Sequence, residues 1–222
     1  MKCLRVLFLS LLLWQSAGTA EAGIIASFTA DGSAFMPSAI DIGNTIDVPL
    51  YLVYDATDSG PNYLNSPGLF SAGLGVTFNT GVANVTSGTF GPGWNLVDPF
   101  SQIDFNNVLG TAGIVAGIDL FDPDAHAVKG LTSILVGTLT FTGISAGTIT
   151  LTLGDYSASD DTAVDDGFPA TILDSVIEFG ANATITVNAS PAAVPEPSTG
   201  ILLLMGAGVL AWRRGRLRTS PI

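Results

Sequence analysis

Positive charge is almost missing from the middle of this chain, and thiols and imidazoles are almost missing from all of it. One cysteine and one histidine occur in 222 residues, with seven lysines and arginines against nineteen acids. Cys3 lies ahead of an N-terminal apolar run, so it is not in a position for lipid attachment, and residues 23 onward contain no thiol. Disulfides, thiolate catalysis and cysteine-based zinc sites are therefore excluded from that part. Between residues 23 and 193 lie seventeen of the acids and a single cation, Lys129, for a formal charge of −16. Such a surface repels phosphate backbones, which excludes a nucleic-acid role. Any Ser-His-Asp chemistry would depend on His126 alone, and no spacing among the scattered carboxylates selects a glycosidase pair. The expectation is a protein that is not an enzyme.

Charge is also missing from two runs at the ends. Lys2 and Arg5 precede an apolar core at residues 6–14, and small residues follow to Ala20-Glu21-Ala22. This pattern predicts a signal peptide over residues 1–22, cut after Ala22, with Ala20 as the competing site. At the other end, residues 190–200 form a linker containing Pro195-Glu196-Pro197, and residues 201–212 carry no charge. The two prolines remove backbone donors and favour extended geometry before each ring, so a helix starts only after Pro197, capped by Ser198 or Thr199. Residues 201–212 would rise only about 18 Å as a transmembrane helix, against a hydrocarbon core of about 30 Å. Residues 213–222 form a basic cytoplasmic tail in which Arg213, Arg214, Arg216 and Arg218 act as the stop, since moving cations across a bilayer is costly.

This ordered triple, a Pro-Glu-Pro, a short apolar helix and an arginine cluster, resembles the PEP-CTERM sorting signal. The resemblance implies that exosortase, a membrane-embedded enzyme, recognises Pro195, Glu196 and Pro197 and cuts close by, after signal peptidase has removed the leader. It also implies an inner-membrane intermediate, then delivery to the cell surface, the outer membrane or an extracellular matrix with its exopolysaccharide and biofilm. A plain membrane anchor carrying the same tripeptide is the alternative.

Between the ends, hydrophobicity alternates with period two. Ile46, Val48, Leu50, Leu52 and Tyr54 fall on one face of a strand, as do Phe70, Ala72, Leu74, Val76 and Phe78. The same period links Ile103 with Phe105, Ile114 with Ala116, Ile118 and Leu120, Leu135 with Leu139 and Phe141, Ile149 with Leu151 and Leu153, and Ile185 with Val187. Thr138, Thr140, Thr142, Thr148, Thr150 and Thr152 occupy the opposite faces, as suits strands wetted on one side. Turns are expected at residues 79–81, 91–93 and 143–147, and residues 125–133 fit a short turn or helix. About eight or nine strands in one domain, residues 23–189, predict an all-β fold, an antiparallel β-sandwich of jelly-roll or cohesin-like type.

Three stretches carry a second resemblance. Residues 41–52, with a Gly43-Asn44 turn entering a strand through Val48-Pro49, residues 68–79, ending in Phe78-Asn79, and residues 136–142 followed by 147–153 resemble a cohesin-like or carbohydrate-binding-module-like sandwich. Residues 55–67 look like an insertion on that plan. The resemblance implies carbohydrate binding or recognition of a dockerin-like partner, and no contact residue carries over from it.

Few side chains remain as site candidates. Trp94, beside Gly91-Pro92-Gly93, is either a ring for stacking on sugar or a core residue. Asp122 and Asp124 stand with His126 in one acidic loop, and Asp160 and Asp161 in a second that lacks the spacing of an EF-hand. These four aspartates are the candidate calcium ligands, and no other cofactor is expected. Calcium held by either loop raises the melting temperature in millimolar calcium over that in chelator; a temperature indifferent to the change rejects both sites.

Overall fold

The computed structural model describes residues 23–35, 38–57, 61–94, 101–118, 127–156, 162–164 and 171–190, together with Met205 and Ala207. The chain divides into two compact units, Met1–Ala189 and Ser190–Ile222. In the first unit the alternating stretches are strands. They run as β1 (Ile24–Ser27), β2 (Ser38–Asp41), β3 (Thr45–Tyr54), β4 (Leu69–Phe78), β5 (Ala83–Phe90), β6 (Gln102–Asn106) and β7 (Thr111–Gly117). After these come β8 (Ser133–Gly143), β9 (Gly147–Gly154), β10 (Ala163–Val164), β11 (Thr171–Ile172), β12 (Ile177–Phe179) and β13 (Ala183–Asn188).

Two sheets form, one of five strands in the order β12-β1-β3-β8-β5, the other of eight, β11-β10-β4-β9-β13-β2 with β7 beside β4 and β6 beside β7. Most neighbours are antiparallel. Two are not: β1 lies parallel to β12, and β2 parallel to β13. The sheets are therefore mixed, where alternation alone predicts antiparallel pairing. The cause is topological. The N-terminal pair β1 and β2 and the C-terminal pair β12 and β13 each change sheet once, and they do so side by side in the same direction.

Period-two burial places the core between the sheets. Val48, Leu50 and Leu52 of β3 face Leu74 and Val76 of β4, Ile114 of β7, Ile149 and Leu151 of β9 and Ile185 of β13, all buried in one cluster. Phe78 and Phe141 meet edge to face, 5.3 Å between centroids, a geometry that adds to area burial through the ring quadrupoles. Outward threonines pair across strands on the wet face, Thr150 opposite Thr184 and Thr148 opposite Thr186.

Three expectations change on folding. The β3–β8 register skips a residue, with Leu50 opposite Gly137 and Tyr51 opposite Leu135, so Val136 is a bulge. A bulge reverses the side-chain alternation. Leu139 and Phe141 point inward as expected, but beyond the bulge Ile134 and Val136 are buried and Leu135 is not. Phe105, paired by period with Ile103, is 44 % exposed near the end of an outer strand. Residues 127–133 form no helix: Val128 makes an isolated bridge to Leu69 instead, and the one helical turn in this unit among the described residues is a 3-10 turn at Asp174–Val176.

Where strands stop, asparagine side chains continue the ladders. Asn79, one residue past β4, donates through Nδ2 to the Thr148 carbonyl (2.8 Å) and accepts from the Thr150 N–H (2.7 Å) of β9. Asn107, one residue past β6, accepts from the Val85 N–H (2.7 Å) and donates to the Val85 carbonyl (3.0 Å). Val85 lies in β5, whose pairing with β8 is irregular between Val85 and Ser87. The Asn107 amide thus ties the outer strand of one sheet to that of the other.

Asn107→Ala leaves both Val85 groups without these partners and is expected to lower stability by about 1–3 kcal/mol. Asn107→Asp restores the acceptor only and falls between. Denaturant melts of the three chains check the order.

Candidate functional site

Most residues that carry chemistry in the sequence lie outside the described set. Pro195, Glu196, Pro197, Arg213, Arg214, Arg216 and Arg218 do so, as do Asp122, Asp124, His126, Asp160 and Asp161. Met205 and Ala207, inside the apolar run, are helical and exposed. Among the described residues no helix is long and apolar enough to cross a membrane, and no three His, Cys, Asp or Glu side chains are grouped to hold a metal ion.

Trp94 is among the described residues. The ring is 6 % exposed and belongs to the core cluster. Its indole N–H donates to the Leu135 carbonyl at 2.9 Å, beside the β8 bulge. A glycine is required at position 91, where a Cβ would fall 1.9 Å from the same Leu135 oxygen. The Gly91–Trp94 turn therefore seals the bulge, leaving little ring surface for a sugar.

The outer face of the larger sheet is built differently from its wet neighbours. Gly75 of β4 lies opposite Gly113 of β7, and both are buried although they point away from the core. Tyr156 packs over them: a Cβ on Gly113 would approach its ring to 2.2 Å, and one on Gly75 would meet the Asp155 carbonyl at 2.7 Å. The Thr162 hydroxyl accepts from the Gly73 N–H at 3.2 Å in the same strip. The phenol donates to Asp104 Oδ2 and accepts from Gln102 Nε2, both at 2.6 Å. Beside it lies an open depression of about 460 Å³ lined by Asp104, Phe105, Asn106, Thr111, Ala112, Gly113 and Tyr156. Two aromatic rings, a carboxylate, an amide and a hydroxyl here present both stacking surface and hydrogen-bonding groups. The sequence pattern marked Phe105 as core and did not single out Tyr156, because only the fold brings residue 156 over residue 113.

Two surface carboxylates are held by their own turns. Hydrogen bonds from the Ser33 side chain and backbone N–H, then from Thr29, hold Asp31 below the ordinary carboxylate range. The Thr57 hydroxyl (2.7 Å) and N–H (2.8 Å) do the same for Asp55. Residues 143–147 spell Gly-Ile-Ser-Ala-Gly, the letters of a nucleophile elbow, yet they join β8 to β9, strand to strand, with the Ser145 N–H donating to the Val82 carbonyl at 3.2 Å. The elbow requires a strand-to-helix turn.

The two-sheet architecture defines a cohesin-like sandwich. It is similar to the seventh ScaB type I cohesin from Pseudobacteroides cellulosolvens, at 12 % identity and a TM-score of 0.52 over 77 % of this chain and 95 % of that one. It is also similar to a chain of a type I cohesin–dockerin complex from Clostridium thermocellum, at 12 % identity and 0.51 over 79 % and 99 %. At such identity the likeness concerns the fold. Residues 193–216 match the PEP-CTERM protein-sorting motif, which marks the chain as an exported substrate of exosortase. No curated protein sequence matches the chain.

Trp94→Phe keeps most of the packing and leaves the Leu135 carbonyl without its donor, with an expected loss of about 1–3 kcal/mol. Trp94→Ala adds a cavity and loses about 3–5 kcal/mol. Thermal melts of the two variants read both steps.

Proposed function

We propose that this chain is an exported, non-catalytic surface or matrix protein, released from its membrane intermediate by exosortase. The sorting motif at residues 193–216 carries this reading. Its physics agrees: the residue before each proline favours extended geometry, and the apolar run that follows is short for a permanent span. Arg213, Arg214, Arg216 and Arg218 hold the far end on the cytoplasmic side while the cut is made. Signal peptidase acts first, at residues 20–22. The body then reaches the cell surface, the outer membrane or the matrix, where it associates with exopolysaccharide in a biofilm.

A second reading, recognition of a dockerin-like partner or a polysaccharide, is favoured by two observations. One fold neighbour is part of a cohesin–dockerin complex, and the depression beside Tyr156 offers aromatic and hydrogen-bonding groups together. The first supports a protein partner and the second a glycan.

Mass spectrometry of the mature product is expected to find a C-terminus near Pro197, with Trp212 and Arg218 removed. Glu196→Ala, or replacement of the four arginines, is expected to leave precursor in the inner membrane. Normal trimming of both variants, or a mature product that keeps Arg218, overturns the sorting reading. On glycan arrays, Tyr156→Ala abolishes binding if the depression is the site; binding unaffected by that change rejects the glycan form of the second reading.

A further inference from the structure

One end of the sandwich collects the loops 42–44, 79–82, 107–110 and 144–146 and the end of β13. Hydrogen bonds bring them together: Gly43 N–H to the Gly143 carbonyl (2.8 Å), Ile144 N–H to Val82 (2.8 Å), Phe78 N–H to Gly110 (2.8 Å) and Ile42 N–H to Asn188 (3.3 Å). Four apolar side chains here face outward, while Val82 packs against the core. Val108 is 86 % and Leu109 72 % exposed, and Ile42 and Ile144 are exposed with them. None of the four loops carries a charged residue in a body whose formal charge is −16. The flanking carboxylate, Asp41, accepts from Asn188 Nδ2 at 3.3 Å. Among the described residues Asp55, Lys129 and Asp155 belong to the opposite end, where β3 finishes and β9 finishes.

The tip between β6 and β7 has a further property. Asn106 Oδ1 accepts from the N–H groups of Val108 (3.0 Å) and Leu109 (3.1 Å), and the Asn106 carbonyl accepts from Gly110 (2.9 Å). Asn107 is turned inward onto Val85. The tip thus presents two aliphatic side chains on a turn whose donors are already satisfied, which is the condition for entering an apolar medium without stranding polar groups.

The tether leaves from this same end. β13 finishes at Asn188, and twelve residues, 189–200, separate it from the apolar run that begins at Ile201. Fully extended, such a linker reaches at most about 40 Å, so a precursor anchored through residues 201–212 holds the body at high effective concentration over the bilayer. We propose that in the anchored precursor this loop end rests on the lipid surface, with Val108 and Leu109 inserted among the headgroups and upper acyl chains. The occupant is the bilayer itself: apolar tips insert in the interfacial layer, and loops without carboxylates avoid repulsion by anionic lipid. This inference rests on the reading that residues 201–212 anchor the precursor.

The signal-cleaved precursor, residues 23–222, contains no cysteine and provides the background. Leu109→Cys and, at the opposite end, the equally exposed Leu131→Cys (Leu131 is 77 % exposed) each take an environment-sensitive fluorophore. Both are reconstituted into phosphatidylethanolamine–phosphatidylglycerol vesicles containing nitroxide-labelled lipid. Expected are flotation resistant to carbonate, several-fold stronger quenching and a blue shift at 109 relative to 131, and loss of that difference when Val108→Asp is added to a chain with an unchanged melt. Resistant flotation with equal quenching at both positions overturns the inference and leaves the anchor standing. A chain extracted by carbonate overturns both.

Discussion

Backbone hydrogen bonding cannot simply end where a strand ends, and the closure of this sandwich depends on how that requirement is met at Asn79 and Asn107. A carboxamide presents one donor and one acceptor at nearly the spacing of a peptide group, so each side chain serves as an extra residue of ladder. Asn79 extends the pairing of β4 with β9 while its own backbone turns away. Asn107 bridges from one sheet to the irregular stretch of β5 in the other. The Asn107 bonds are part-buried, where an N–H or C=O left without a partner costs more than a formed bond gains, while the Asn79 bonds lie at the surface. With the sheets held at that end, the edge-to-face contact of Phe78 and Phe141 has a fixed geometry.

The long strands were legible because period two is a local property. β3, β4, β9 and β13 bury most of the residues that alternation selects, with Ile46, Tyr54 and Phe70 half-buried against the core. β8 shows where the rule fails: one unpaired residue, Val136, inverts the pattern, and nothing in Leu135-Val136-Gly137 announces it. What fixes the bulge is remote, the indole N–H of Trp94 on the Leu135 carbonyl. Strands of two to four residues, such as β2, β10, β11 and β12, are too short for periodicity to register. The parallel contacts of β1 with β12 and β2 with β13 join segments far apart in sequence, which no local pattern encodes.

The same distinction separates the two functional elements. The sorting motif at residues 193–216 is legible because composition and linear order are themselves the signal. The sandwich surface is not. Tyr156, Asp104 and Gly113 come together only because β6 and β7 pair and the chain after β9 folds back over a glycine strip. A glycine strip with an aromatic lid has no linear signature, and Phe105 shows that a residue in phase with the core can still end up half outside when its strand lies at the edge.

The position of β13 has a mechanical consequence. It is the last strand of the body, yet it is interior, hydrogen-bonded to β9 on one edge and to β2 on the other. Tension directed along β13 loads both ladders together in shear, and the loaded strand is not itself a sheet edge that could peel away first. A body held by its tail against flow or against a contracting polymer network would therefore resist extraction at the point where the force enters.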